Sequence, residues 1–149
     1  FGNPMCVIRV TGQQVLDALE WGARAVPSEN GGFLQVSGLT YEIHTGVASS
    51  AEKDENGMFT RVSGEYRVKN VMVGGQPLEL DKTYTLASHN YMLLGHGDGY
   101  TMFDGCEVLG EDMMVDNQVL ITYITTTLGG VVGEQYANPY GDGRIVAVE

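Results

Sequence analysis

The apolar residues of this chain fall in short, β-branched runs broken by glycine and proline, and that rhythm constrains the fold more than any other feature. Met5-Cys6-Val7-Ile8-Arg9-Val10 reads as a strand, and so does Thr83-Tyr84-Thr85-Leu86-Ala87. Residues 33–43 form a further strand region interrupted at Gly38, where a glycine marks a bulge or a close backbone approach. Residues 66–73 run into Gly74-Gly75 and then Pro77-Leu78-Glu79-Leu80, the pattern of a hairpin through a glycine turn. A last strand, Arg144-Ile145-Val146-Ala147-Val148, follows the turn at 139–143. Two stretches have helical spacing instead. Thr11-Gly12-Gln13-Gln14 has the form of a capping box, and Val15, Leu16, Leu19, Ala23 and Val26 supply an apolar face behind it until Pro27. Asp116 is a fair N-cap for a second helix with Val119, Leu120, Tyr123, Ile124 and Leu128 as its stripe, although its β-branched residues disfavour helix locally. Strands outnumber helices, so the expected fold is α+β, a mixed β-sheet with helices packed on it. The polar residues 46–58 read as a loop and as the best candidate for mobility.

The length of 149 residues suits a single domain with a real core. A net charge of −11 argues against nucleic acid or an anionic membrane as partner, since both need a basic face. No apolar run reaches the roughly 18–20 residues of a spanning helix. The opening Phe1-Gly2-Asn3-Pro4 has neither a basic n-region nor an initiator Met, and reads as cut from a longer chain. Cys6 and Cys106 make no disulfide framework and no metal-ligand spacing. Two readings stay open for them: buried thiols, or a single Cys6–Cys106 bond.

The strand at 83–87 delivers the most distinctive stretch, Ser88-His89-Asn90-Tyr91-Met92-Leu93-Leu94-Gly95-His96-Gly97-Asp98, followed by Gly99 and Tyr100. Glycine on both sides leaves the Asp98 carboxylate unshielded and lets a ligand come close. Tyr91 offers a flat ring with a polar tip. A ring and an exposed carboxylate at a strand end suit a nucleoside, with the base on the ring and the ribose hydroxyls on the carboxylate. A tight Gly-Asp-Gly turn beside a core tyrosine is written in the same residues, and both readings stand at this level.

Catalytic chemistry is harder to find. His89, His96 and Asp98 share one loop, but no further ligand or known spacing supports a metal site. Ser88 and His89 are neighbours on a strand and point to opposite faces, which disfavours a triad with Asp98. No phosphate-binding loop of the Walker form is present. The residues thus point to a domain that binds, with chemistry elsewhere.

The ordered series Phe1-Gly2-Asn3, Val10-Thr11-Gly12, Gly32-Phe33-Leu34-Gln35-Val36-Ser37-Gly38, Gly75-Gln76-Pro77-Leu78, Lys82-Thr83-Tyr84-Thr85, Asn90-Tyr91, Gly97-Asp98-Gly99-Tyr100 and Gly143-Arg144-Ile145 resembles the C-terminal domain of the 5′-nucleotidase family nearly end to end. That family includes UDP-sugar hydrolases and 2′,3′-cyclic nucleotide phosphodiesterases. The resemblance implies a single substrate-recognition domain over 1–149, partnered by an N-terminal metallophosphatase domain that is not in this chain. That missing domain would carry two divalent metal ions and the hydrolytic chemistry, while this chain would bind no cofactor and hold no catalytic residue. It also implies that two aromatic rings sandwich the base of a nucleotide or nucleoside and that an aspartate bonds the ribose hydroxyls. Phe1 and Tyr91 match the rings, Asp98 the aspartate, and Asn90 and Gly97 flank them in the matching motifs. Tyr91 stands where the family has Phe, and the stretch from Tyr91 to Asp98 is one residue longer than the family pattern. The family's further Asn and Arg contacts lie upstream of Phe1. An extracytoplasmic location, in periplasm, cell wall or medium, is the last implication.

Overall fold

A strand that hands directly into a helix sets up the architecture. The computed structural model describes residues 2–149. β1 (Met5–Thr11) alternates buried and open positions, with Cys6, Ile8 and Val10 turned inward. Thr11 then caps α1 (Gly12–Ala23): its Oγ1 accepts from the Gln14 amide at 3.2 Å, and the Gln14 Oε1 accepts from the Thr11 amide at 2.8 Å. This is the reciprocal capping box the sequence predicts. α1 buries Val15, Ala18, Leu19, Trp21 and Ala23 and packs against β1, β4 (Phe59–Val62) and β5 (Val68–Val73). At its far end the buried Arg67 guanidinium donates to the carbonyls of Ala23 and Val26, satisfying acceptors the helix cannot.

Among the described residues, three sheets pack around this helix. One orders its strands β7-β1-β8, with β7 at Thr83–His89 and β8 at Glu107–Gly110. Another orders β6-β5-β2-β9, with β2 at Leu39–His44, β6 at Gln76–Pro77 and β9 at Ile145–Val148. β9 runs parallel to β2 while the other pairings are antiparallel, so the sheet is mixed and the domain is α+β as expected. β3 (Ala51–Lys53) and β4 make a separate hairpin. Trp21 of α1 meets Phe59 of that hairpin edge-to-face, with centroids 5.7 Å apart.

Three expectations need correction. Residues 33–37 are not a strand: Gly38 sits at φ +78°, its carbonyl accepts from Gly74, and only from Leu39 does the chain enter the sheet. The polar stretch 46–58 is not a free loop, because it contains β3 and a turn closed by the Asp54 carboxylate, which accepts from the amides of Asn56 and Met58. The second helix, α3 (Asp116–Thr122), starts at Asp116 without a side-chain cap, since the Asp116 carboxylate takes the neighbouring Asn117 amide. It widens into a π-turn at Tyr123–Thr127, where β-branched residues crowd an α-helix. Its stripe is not core: Val119, Leu120 and Tyr123 are exposed, because α3 is tied down at its start and, among the described residues, packs extensively against none of the three sheets.

Cys6 and Cys106 are free thiols, and burial raises the pKa of both. Cys106 Sγ accepts from Gln14 Nε2 at 3.3 Å, which ties it to α1 rather than to Cys6.

Candidate functional site

β7 extends to His89, beyond the Ala87 expected from the sequence, and α2 (Asn90–Leu93) follows in place of a loop. His89 holds this short turn as its cap: its Nδ1 accepts from the Met92 amide at 3.3 Å. Register brings the chain start to the same place. β1 pairs antiparallel with β7 so that Met5 lies opposite His89, and the Asn90 amide donates to the Pro4 carbonyl at 2.9 Å. Asn3 therefore reaches the end of β7.

Beyond α2 the chain turns sharply. His96 and Asp98 both adopt the left-handed region, at φ 52° and 55°, which side-chain-bearing residues seldom enter. Two glycines explain how the turn is tolerated. A Cβ on Gly97 would lie 2.2 Å from Cε1 of the Tyr91 ring, and a Cβ on Gly99 would lie 2.8 Å from both the Trp21 ring and the Gly57 carbonyl oxygen. The Tyr91 ring thus rests on the bare backbone of Gly97. Trp21 Nε1 donates to the Asp98 carbonyl at 2.9 Å, fixing the turn from below. Gly32 passes behind Asp98, its Cβ position 3.0 Å from that of Asp98, and the buried Tyr100 hydroxyl donates to the Gly32 carbonyl. Burial pushes the Tyr100 pKa well up, so this hydroxyl stays a donor. The Arg24 guanidinium stacks 3.7 Å over the Trp21 ring, and burial lowers its pKa against the raising influence of Tyr100 and Asp98.

The outcome is a cavity of about 350 Å³ lined by Asn3, His89, Tyr91 and Asp98. Tyr91 is 49% exposed, so its ring face is open. Its hydroxyl lies 3.4 Å from Asp98 Oδ1, at the outer limit of a hydrogen bond. Of the residues expected from the sequence, Tyr91 and Asp98 meet in this cavity. Gly97 shapes it without lining it. Asn90 is half-buried beneath, and its Oδ1 has no hydrogen-bond partner among the described residues. Phe1, the second ring of the expected sandwich, lies outside the described residues. Sequence reasoning missed Asn3, because the strand pairing that places it there has no local signal, and it weighed His89 only as a metal ligand or triad member, not as a wall of this cavity.

Comparison with known proteins identifies the family to which this fold belongs. Residues 1–105 match the family described as 5′-nucleotidase, C-terminal domain. The trifunctional nucleotide phosphoesterase protein YfkN of Bacillus subtilis is 30% identical over 148 residues, which is 99% of this chain and 9% of that protein. A 5′-nucleotidase of Vibrio vulnificus is 28% identical over 124 residues, 83% of this chain and 18% of its own length. The crystal structure of a 5′-nucleotidase precursor from Thermus thermophilus superposes with a TM-score of 0.76 at 27% identity, over 99% of this chain and 25% of that one. The chain thus spans a small fraction of each of these relatives. With its family match across more than two thirds of its residues and its fold shared with a 5′-nucleotidase, the chain belongs to the 5′-nucleotidase C-terminal domain family.

Proposed function

We propose that this chain is the nucleoside-recognition domain of a two-domain, 5′-nucleotidase-type phosphoester hydrolase. The observation that carries the reading is the half-exposed Tyr91 ring set beside the exposed Asp98 carboxylate in one cavity. The ring stacks the base, a contact tolerant of base identity and worth about 1–3 kcal/mol. The carboxylate accepts hydrogen bonds from the ribose hydroxyls, which a neutral acceptor would bind more weakly. Phe1 supplies the second stacking face.

Hydrolysis belongs to an N-terminal metallophosphatase domain of the same polypeptide, where two divalent metal ions activate water. This chain holds and orients the substrate, binds no cofactor and does not itself catalyse. The parent enzyme acts on a nucleotide 5′-phosphate; a 2′,3′-cyclic nucleotide or a UDP-sugar is the alternative substrate, and profiling the intact enzyme separates them. It works outside the cytoplasm; the Thermus relative's description as a precursor is compatible with this. A second reading, an interaction module that has kept the fold, draws on the apolar residues exposed between 113 and 140.

An NMR titration with adenosine tests the reading, beside Tyr91→Ala. Shifts centred on Tyr91 and Asp98, reduced about ten-fold or more in affinity by the substitution, are expected. Shifts confined to residues 113–140 would favour the interaction module. Metal-dependent phosphatase turnover by this chain alone would overturn its non-catalytic role.

A further inference from the structure

The cavity has a fourth wall that neither ring stacking nor ribose binding uses, the imidazole of His89. Its environment settles its chemistry. Nδ1 accepts a hydrogen bond from the Met92 amide, so in the neutral ring the proton sits on Nε2. Nε2 makes no hydrogen bond among the described residues, which leaves one directed N–H donor on a half-buried ring at the cavity wall. The ring lies 6.0 Å from that of Tyr91, centroid to centroid, and is tilted 38° to it. A planar ligand lying against Tyr91 therefore comes within reach of the His89 ring. The other three groups complement this: an aromatic face, an anionic acceptor at Asp98, and the amide of Asn3.

We propose that His89 is a base-contacting residue of this site, donating from Nε2 to an acceptor atom on the edge of the stacked nucleobase. The inference rests on the nucleoside reading above and adds a role beyond it. The same ring also caps α2 and so positions Tyr91, which makes base placement and base recognition depend on one side chain.

The two tasks separate by substitution. Asn is a favoured cap residue, so His89→Asn keeps α2 closed and Tyr91 in place while removing the imidazole from the cavity wall. The test is an adenosine titration of the protein and of His89→Asn, with the imidazole nitrogens of His89 followed by 15N NMR alongside the Tyr91 and Asp98 signals. Free protein is expected to show the Nε2–H tautomer. Adenosine should move the Nε2 resonance and leave Nδ1 nearly unchanged, and His89→Asn should weaken binding about three- to ten-fold, the usual worth of one hydrogen bond. A purely structural role would leave Nε2 still. Movement at Tyr91 and Asp98 with a stationary Nε2, or unchanged affinity in His89→Asn, would overturn the role of His89 and leave the nucleoside reading intact. No movement at Tyr91, Asp98 or His89 up to millimolar adenosine would remove both.

Discussion

The two longer helices promise the same thing and deliver opposite outcomes. Each has apolar residues at helical spacing, yet α1 buries Val15, Ala18, Leu19, Trp21 and Ala23, while none of the residues of α3 is buried. The difference lies in how each helix is delivered. α1 follows β1 without a break, is capped by Thr11, and is held against the turn before β7 by bonds from the Gly12 and Gln13 amides to the carbonyls of Lys82 and Leu80. α3 is attached at one end, where Asp116 donates its amide to the Asn3 carbonyl. Periodicity says that a helix has an apolar face; burial needs a second surface brought to it by connectivity.

The largest effect should come from cutting into the helix that succeeds. Trp21→Ala removes a ring that is 1% exposed and should cost about 3–5 kcal/mol, whereas Leu120→Ala in α3 should stay within about 0.5 kcal/mol. Urea unfolding of both variants measures this, and equal losses would break the contrast. Gly97→Ala comes next. Its Cβ collides with the Tyr91 ring, so a loss of about 1–3 kcal/mol is expected together with a marked fall in adenosine affinity, read by unfolding and by titration. Retained affinity would mean that the ring does not rest where the cavity requires it.

A smaller effect sharpens the contrast at the helix starts. Thr11→Ala should cost about 1 kcal/mol, and Asp116→Ala almost nothing, because only the former is a side-chain cap. The subtlest readout is a pH slope. Burial pushes the Glu20 carboxyl above its ordinary 4.5, against the lowering effect of hydrogen bonds from the Val68 and Arg67 amides. A raised folded-state pKa favours the protonated carboxyl in the fold. Its contribution is therefore full below 4.5 and declines as pH climbs through the raised value. Glu20→Gln keeps an acceptor for Val68 and should flatten that decline, seen in melting temperatures taken from pH 4 upward. A parallel pH profile in the variant would assign the slope to other carboxylates.

Much of this was legible in the sequence, and what was not follows a pattern. The capping box at Thr11, the strand before the glycine turn and the glycine hairpin at 74–75 are local features, set by neighbouring residues, and the structure has each of them. Tyr91 and Asp98 were legible as a pair for the same reason, being seven residues apart in one turn. The hairpin hidden in 46–58 was not, because its anchor is Phe59 packing on Trp21 from far along the chain. Asn3 joins the cavity through the register of β1 on β7, and no run of neighbours encodes a register. The exposed stripe of α3 was misread because spacing carries no information about what lies opposite.

The bond from Trp21 to the Asp98 carbonyl has a dynamic consequence. Its donor is an indole sealed in the core, so the turn that carries Asp98 cannot lift without freeing a proton that water does not reach. The exchange rate of that indole proton with deuterium should therefore track opening of the turn, and its slowness would show the turn sharing the protection of the core. A ligand would then meet a carboxylate already immobilised, and little conformational freedom would be lost on docking.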